Sequence, residues 1–150
     1  MTTSEPRVLF LCTGNYYRSR FAEHWFNHRA PALGIRWSAV SRGLRINRIW
    51  NPGLISEFAH AGLLQRGVAL PEPLREPLHV REEDLVEARL IVALKRTEHE
   101  PLLLQQFPLW GERVRYWHVH DIDVDPPEVA LPAIITLVEA LLDELRVTAS

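Results

Sequence analysis

The chain has 150 residues, 47% of them apolar and 24% charged, with seventeen basic against nineteen acidic residues for a net charge of −2. That length suits one core and one domain over 1–150, and the composition excludes disorder, collagen and an electrostatic nucleic-acid surface. The single cysteine, Cys12, excludes an internal disulfide and a cysteine-based zinc site and suits a reducing, cytoplasmic compartment. The start MTTSEPRVLFLC holds only five consecutive apolar residues, too few for a signal-peptide core or a membrane span.

Val8 to Leu11 is a continuous apolar run followed by Gly14 and Asn15, the pattern of a strand buried on both faces that ends in a tight loop. From Ser19 to Ala30 the positions Phe21, Ala22, Trp25, Phe26 and Ala30 take helical spacing, with Ser19 able to cap the helix and Pro31 expected to stop it. Ile35 to Val40 predicts a second strand. Asn51 and Pro52 predict the N-cap and first turn of a helix carrying Leu54, Ile55, Phe58, Ala61 and Leu64 and ending at Gly67. A connection with Pro71, Pro73 and Pro77 leads to an acidic turn from Glu82 to Ala88, an apolar run from Leu90 to Leu94, and a helix from Thr97 to Gln106. Val114 to Val119 predicts the fourth strand. After an Asp-rich loop, Leu131, Ile134, Ile135, Val138, Leu141, Leu142 and Leu145 fall on one face of a final helix. Strands alternating with helices predict an α/β fold: a single doubly wound four-stranded parallel sheet with helices on both faces. In such folds the site lies beyond the carboxyl ends of the strands.

That rule points to Cys12-Thr13-Gly14-Asn15-Tyr16-Tyr17-Arg18-Ser19, between the first strand and the first helix. Such a loop can turn successive N–H groups inward, and the helix behind it adds its free N–H groups and positive dipole end. Gly14 permits the turns, and Asn15 tolerates the left-handed conformation. Arg18 offers a fork that matches two phosphate oxygens. A thiol at the bottom of this cradle is expected to ionise more readily than a free cysteine, whose pKa is about 8.5. A thiolate facing a bound phosphate is a nucleophile. A packing role for Cys12 would explain the thiol without requiring the Gly-Asn pair, the Arg-Ser pair or the helix behind them. Phosphate-ester cleavage also needs a proton for the leaving oxygen, and Asp121, Asp123 and Asp125 all follow the fourth strand. Pro126 and Pro127 stiffen the backbone around Asp125.

The string VLFLCTGNYYRS resembles the N-terminal strand and C-x5-R-S phosphate loop of the low-molecular-weight protein tyrosine phosphatase family, and Asp125-Pro126 resembles its general-acid Asp-Pro pair. Trp50-Asn51 and the stretch from Glu83-Asp84 through Ala93-Leu94-Lys95 to His99 extend the resemblance over nearly the whole chain. The resemblance implies Cys12 as nucleophile, Arg18 as the phosphoryl-binding and transition-state residue, and Asp125 as acid then base. It also implies that Ser19 supports the thiolate, Asn15 and Ser41 brace the loop, and Trp50 forms a pocket wall. Thr13, Gly14, Asn15, Tyr16, Tyr17, Ser19 and Trp50 are the expected substrate-binding positions. No cofactor or metal is implied; the expected partner is a phosphorylated protein or small aryl phosphate, with inorganic phosphate as product. The chain departs from the family pattern at Tyr17, where a second cysteine is common, at Arg20, where a proline is common, and at Pro127 and Glu128, where aromatic residues are common.

His118, His120, Asp121 and Asp123 form a rival metal set, since His118 and His120 alternate onto one strand face; strand-end histidines and solvated carboxylates are the plainer account. Arg42, Arg45 and Arg48 read either as a solvated loop or as a basic rim that attracts acidic substrates. An arsenate reductase using an external thiol, and a non-catalytic phosphate-binding module, are the alternatives to a phosphatase.

Overall fold

The computed structural model describes residues 5–148, so Met1 to Ser4, part of the polar start, lie outside the described residues. Strand β1, Arg7–Cys12, is buried from Val8 onward because both of its faces are covered. It pairs with β2, Ser38–Gly43, on one side and with β3, Leu90–Ala93, on the other, while β4, Arg115–Tyr116, lies outside β3. Every ladder in this four-stranded sheet is parallel, in the order β2-β1-β3-β4. The register sets Cys12 beside Gly43 and Leu11 beside Ala93, so the strand ends converge on one edge.

Successive β1 side chains enter opposite cores. Val8, Phe10 and Cys12 meet α1 (Arg18–Ala32), α2 (Glu57–Leu64) and α5 (Pro127–Thr148). Leu9 and Leu11 meet Leu85 of α3 (Glu82–Glu87) and Leu103 of α4 (Arg96–Gln106). The seven apolar positions expected along the last helix all enter the first core, Ile135 partly exposed. Chain order reverses at β1, between its neighbours β2 and β3, which makes its carboxyl end the switch point of the sheet. Among the described residues no helix is long and apolar enough to cross a membrane.

Four boundaries differ from the sequence-based expectation. Helix α1 runs through Pro31 to Ala32, because a proline in the last turn removes one helical N–H while Leu33 N–H still reaches Arg29 O and Ala30 O. The chain then closes a Schellman motif: Gly34 stands at φ 73, its N–H bonds Pro31 O, and Ile35 N–H bonds Ala30 O. Ile35 is therefore the apolar residue that seals a helix end rather than the start of β2, which begins at Ser38. Asn51 and Pro52 do not open α2. Gly53 at φ 88 turns the chain away, and Ser56 caps the helix by accepting from Phe58 N–H at 3.1 Å. The expected fourth strand shortens to a two-residue ladder, although Trp117 and Val119 N–H still bond Ala93 O and Leu94 O.

Loss of the Ser56 cap should cost about 1 kcal/mol in Ser56→Ala and only a few tenths in Ser56→Gly. Urea unfolding of the two variants checks the cap directly; equal losses would place the contribution of Ser56 elsewhere.

Candidate active site

The loop from Cys12 to Arg18 is held open by Asn15, a non-glycine residue at φ 50 and fully buried. Its amide nitrogen donates to Ser41 Oγ (2.8 Å) and Ser19 Oγ (3.0 Å), and its Oδ1 accepts from Arg75 Nη1 (3.0 Å) and Leu78 N–H (3.1 Å). Ser41 in turn donates to Glu23 Oε1 at 2.5 Å, and Arg75 bonds Glu23, Ser41 O and Ser41 Oγ. The expected bracing by Asn15 and Ser41 is thus accompanied by two residues the sequence did not single out, Glu23 and Arg75. Beneath them Arg20 is fully buried, donating to Leu54 O and Arg75 O, and its guanidinium is pulled down to about 10 by burial and then by the Arg75 charge. Ser19 does not cap α1: Tyr17 occupies the N-cap, and Ser19 Oγ lies 2.9 Å from Cys12 Sγ.

Arg18 is almost wholly buried, and three of its N–H directions are committed. Nη1 donates to Glu98 Oε1 (3.2 Å) and to Val119 O (3.0 Å), and Nη2 donates to Glu98 Oε2 (2.6 Å). Glu98 also accepts from the Thr13 hydroxyl. Buried His99 receives Lys95 N–H on Nδ1 (3.0 Å), so the neutral ring carries its proton on Nε2, 3.2 Å from both Glu98 Oε2 and Thr13 Oγ1. Burial raises the Glu98 carboxyl, but hydrogen bonds from His99, Arg18 and Thr13 outweigh burial and hold it well below the usual carboxylate range. Arg18 shows the converse: burial lowers it, and the Glu98 bond with the surrounding negative charges raises it overall.

Above the loop is a cavity of about 480 Å³ lined by Cys12, Gly14, Tyr16, Tyr17 and Arg18, by Asn51, Pro52 and Ile55 to Phe58 after β2, and by Asp121 and Ile122 after β4. Tyr16 ties the first two crossovers together, its hydroxyl donating to Pro52 O and its carbonyl accepting Ser56 N–H. Asn51 comes so close that a Cβ on Gly14 would meet its Nδ2 at 2.9 Å. Tyr17 is buried with its hydroxyl unpartnered and pushed up to about 12, by burial first and by Asp121 second.

Several expected site residues fall elsewhere. Thr13 turns its hydroxyl toward α4, and its side chain does not line the cavity. Trp50 is 81% exposed and outside the lining; Phe58, Tyr16 and Ile122 are the walls instead. Arg42 turns to Asp84 (3.4 Å) and Ser41 O, Arg48 reaches Gly53 O, and neither they nor Arg45 line the cavity. Asp121 lies in the cavity wall with Oδ2 3.5 Å from Arg18 Nη2, whereas Asp125 lies outside the lining, its N–H bonded to Asp121 O. His118 and His120 bring their rings to 4.7 Å, but among the described residues no group of three or more His, Cys, Asp or Glu side chains is arranged to hold a metal.

Glu98 reaches the site from the β3–β4 crossover, and Asn51 and Arg75 from well-separated points of the β2–β3 crossover, so no local pattern announces them as site residues. Only Glu23 carries a signal: it stands four residues after Ser19, on the same face of α1.

A parallel α/β sheet with a Cys-x5-Arg loop at its switch point defines the class. The chain belongs to the low molecular weight phosphotyrosine protein phosphatase family, whose model matches residues 7–145. It is 30% identical to a low molecular weight protein tyrosine phosphatase from T. tengcongensis, with a TM-score of 0.73 over 93% of this chain and 97% of that one. YfkJ from Bacillus subtilis shares the fold at a TM-score of 0.84 and 23% identity, covering 99% of both chains. The YwlE arginine phosphatase from Geobacillus stearothermophilus does so at 0.75 and 21%, covering 95% of this chain and 94% of that one. An arsenate reductase from Bacillus licheniformis is 35% identical over 60 residues, 40% of each chain.

The low Glu98 carboxyl has a consequence for acid stability. The unfolded chain takes up a proton near the ordinary value of 4.5, the folded chain only at lower pH, so stability is present above that value and falls as pH drops below it. Urea midpoints should decline below pH 4.5 with a shallower fall in Glu98→Gln, and parallel curves would assign the acid sensitivity to other groups.

Proposed function

We propose that the chain is a metal-independent phosphatase that hydrolyses phosphate monoesters, protein phosphotyrosine or small aryl phosphates, through a phosphocysteine intermediate. Cys12 attacks phosphorus in line while the bond to the leaving oxygen breaks; the leaving oxygen takes a proton from a carboxylic acid; water activated by the resulting carboxylate then cleaves the phosphorus–sulfur bond, giving inorganic phosphate and free Cys12. The observation that carries this reading is the placement of Cys12 and Arg18 together at the floor of a cavity walled by Tyr16, Tyr17 and Phe58. Flat aryl groups suit those rings. Ser19 supports the reading, its hydroxyl 2.9 Å from the sulfur and able to donate to a thiolate.

Two carboxylates compete for the acid. Family resemblance names Asp125, but the position in the cavity wall favours Asp121. Phosphate arriving on Arg18 Nη2 would come close to the Asp121 carboxyl group, 3.5 Å from that nitrogen, which is where a proton donor to the leaving oxygen is needed.

The rival with an observation behind it is arsenate reduction, supported by the stretch shared with the Bacillus licheniformis enzyme. With one cysteine in the chain, it would need an external thiol as reductant.

Cys12→Ser should abolish turnover of p-nitrophenyl phosphate, and loss of the true acid should lower kcat/KM by about 10²- to 10⁴-fold on phenyl phosphate and less on p-nitrophenyl phosphate, whose leaving group departs without a proton. Asp121→Asn and Asp125→Asn, measured side by side on both substrates, identify the acid by that leaving-group dependence. Turnover that survives in Cys12→Ser would defeat the covalent mechanism.

A further inference from the structure

Glu98 is the residue on which most of the Arg18 geometry converges, and it lies outside the cavity. Its two oxygens take one N–H from each terminal nitrogen of Arg18, and Val119 O takes the second from Nη1. What remains is one edge of the guanidinium, the Nε–H and the second Nη2 hydrogen, with Asp121 Oδ2 standing 3.5 Å from Nη2 on the cavity side. One edge with two parallel N–H groups is the fork that two oxygens of a phosphoryl group match. Glu98 is itself fixed by the Thr13 hydroxyl and by Nε2 of fully buried His99, whose tautomer is set by Lys95 N–H. The carboxylate is therefore anchored to the phosphate loop at Thr13 and to the start of α4 at His99, and it can hold the guanidinium plane in one orientation.

We propose that Glu98 is the positioning residue that aims the free edge of Arg18 at the equatorial oxygens of the phosphoryl transition state. The proposal rests on the phosphatase reading above. It differs from mere neutralisation of a buried cation in what it does to binding. A guanidinium that has lost its orientation still attracts a dianion as a charge, and losing the neighbouring carboxylate strengthens that attraction. The misaligned fork nevertheless fails the flattened, five-coordinate phosphorus. Ground-state affinity and transition-state affinity should then move apart.

The test compares wild type, Glu98→Gln and Glu98→Asp on an aryl phosphate, with inorganic phosphate and vanadate as inhibitors; vanadate on a cysteine sulfur adopts the five-coordinate geometry. Glu98→Gln should lower kcat by about 10- to 100-fold. KM and the phosphate inhibition constant should stay within about threefold, and the vanadate constant should rise in step with the loss in kcat. Glu98→Asp keeps the charge but withdraws the carboxylate by one methylene, and should show the same separation at smaller size; it decides the matter if Glu98→Gln does not fold. In an Arg18→Lys background, Glu98→Gln should cost less than about threefold, because the fork it orients is gone. Phosphate and vanadate weakening equally, or kcat within threefold of wild type in both variants, would overturn the positioning role. A wild-type protein that hydrolyses no aryl phosphate would overturn the phosphatase reading and this proposal with it, a result separable from the first because it appears before any variant is made.

Discussion

Asn15 stands at φ 50, a conformation that costs a residue with a Cβ about 1–3 kcal/mol unless its surroundings hold it there. Here the surroundings consist of four hydrogen bonds to its side chain, two given and two received, from elements as distant in sequence as Ser41 and Leu78. With the left-handed turn at Asn15, the loop brings Cys12 and Arg18 to the lining of one cavity. The loop also presses on β2: a Cβ on Gly43 would meet Thr13 O at 2.9 Å and Asn15 Cβ at 3.1 Å. Loop, β2 and the 75–78 segment therefore form one mechanical unit, and a change in any of them reaches the cavity through Asn15.

Charge in this unit is arranged inside out. Arg18 and Arg20 are buried more completely than most of the apolar residues, with Arg75 partly buried against Arg20 and Glu23. Buried ions bring little net stability, because desolvation consumes the attraction, but removing one partner leaves a charge stranded and is strongly destabilising. The carboxylates Glu23 and Glu98 thus specify one arrangement of the arginines. The cavity lining meanwhile includes Asp121 and Glu57, and the exposed arginines Arg45 and Arg48 lie outside it.

The local parts of this design were legible in the sequence. The β1 run, the Cys-x5-Arg loop and the seven-residue stripe of α5 are each contiguous, so periodicity and composition suffice to find them. What failed to show depended on distance or on a competing local signal. Ile35 and Asn51 are good examples: one looks like a strand residue and the other like a cap, yet Gly34 and Gly53 turn the chain at positive φ and reassign both. Glu98 and Arg75 act on the loop across 80 and 60 positions of sequence. Asp121 and Asp125 were both visible, but proline stiffening and family likeness pointed to one, while the short β4 ladder and the start of α5 at Pro127 carry the other into the cavity wall.

Tyr17, in the loop of the proposed site, is packed into the core at the position where the family resemblance implies a second cysteine. That substitution closes an escape route. A cysteine oxidised to the sulfenic acid can be rescued by a neighbouring thiol that traps it as a disulfide, or else proceed to sulfinic and sulfonic acids that ordinary reductants do not reverse. Cys12 is the only thiol in the chain, so capture as a disulfide needs a thiol from outside that enters the cavity lined by Tyr16, Phe58 and Ile122. The working lifetime of this protein under peroxide is then a property of the surrounding pool of small thiols as much as of its own fold.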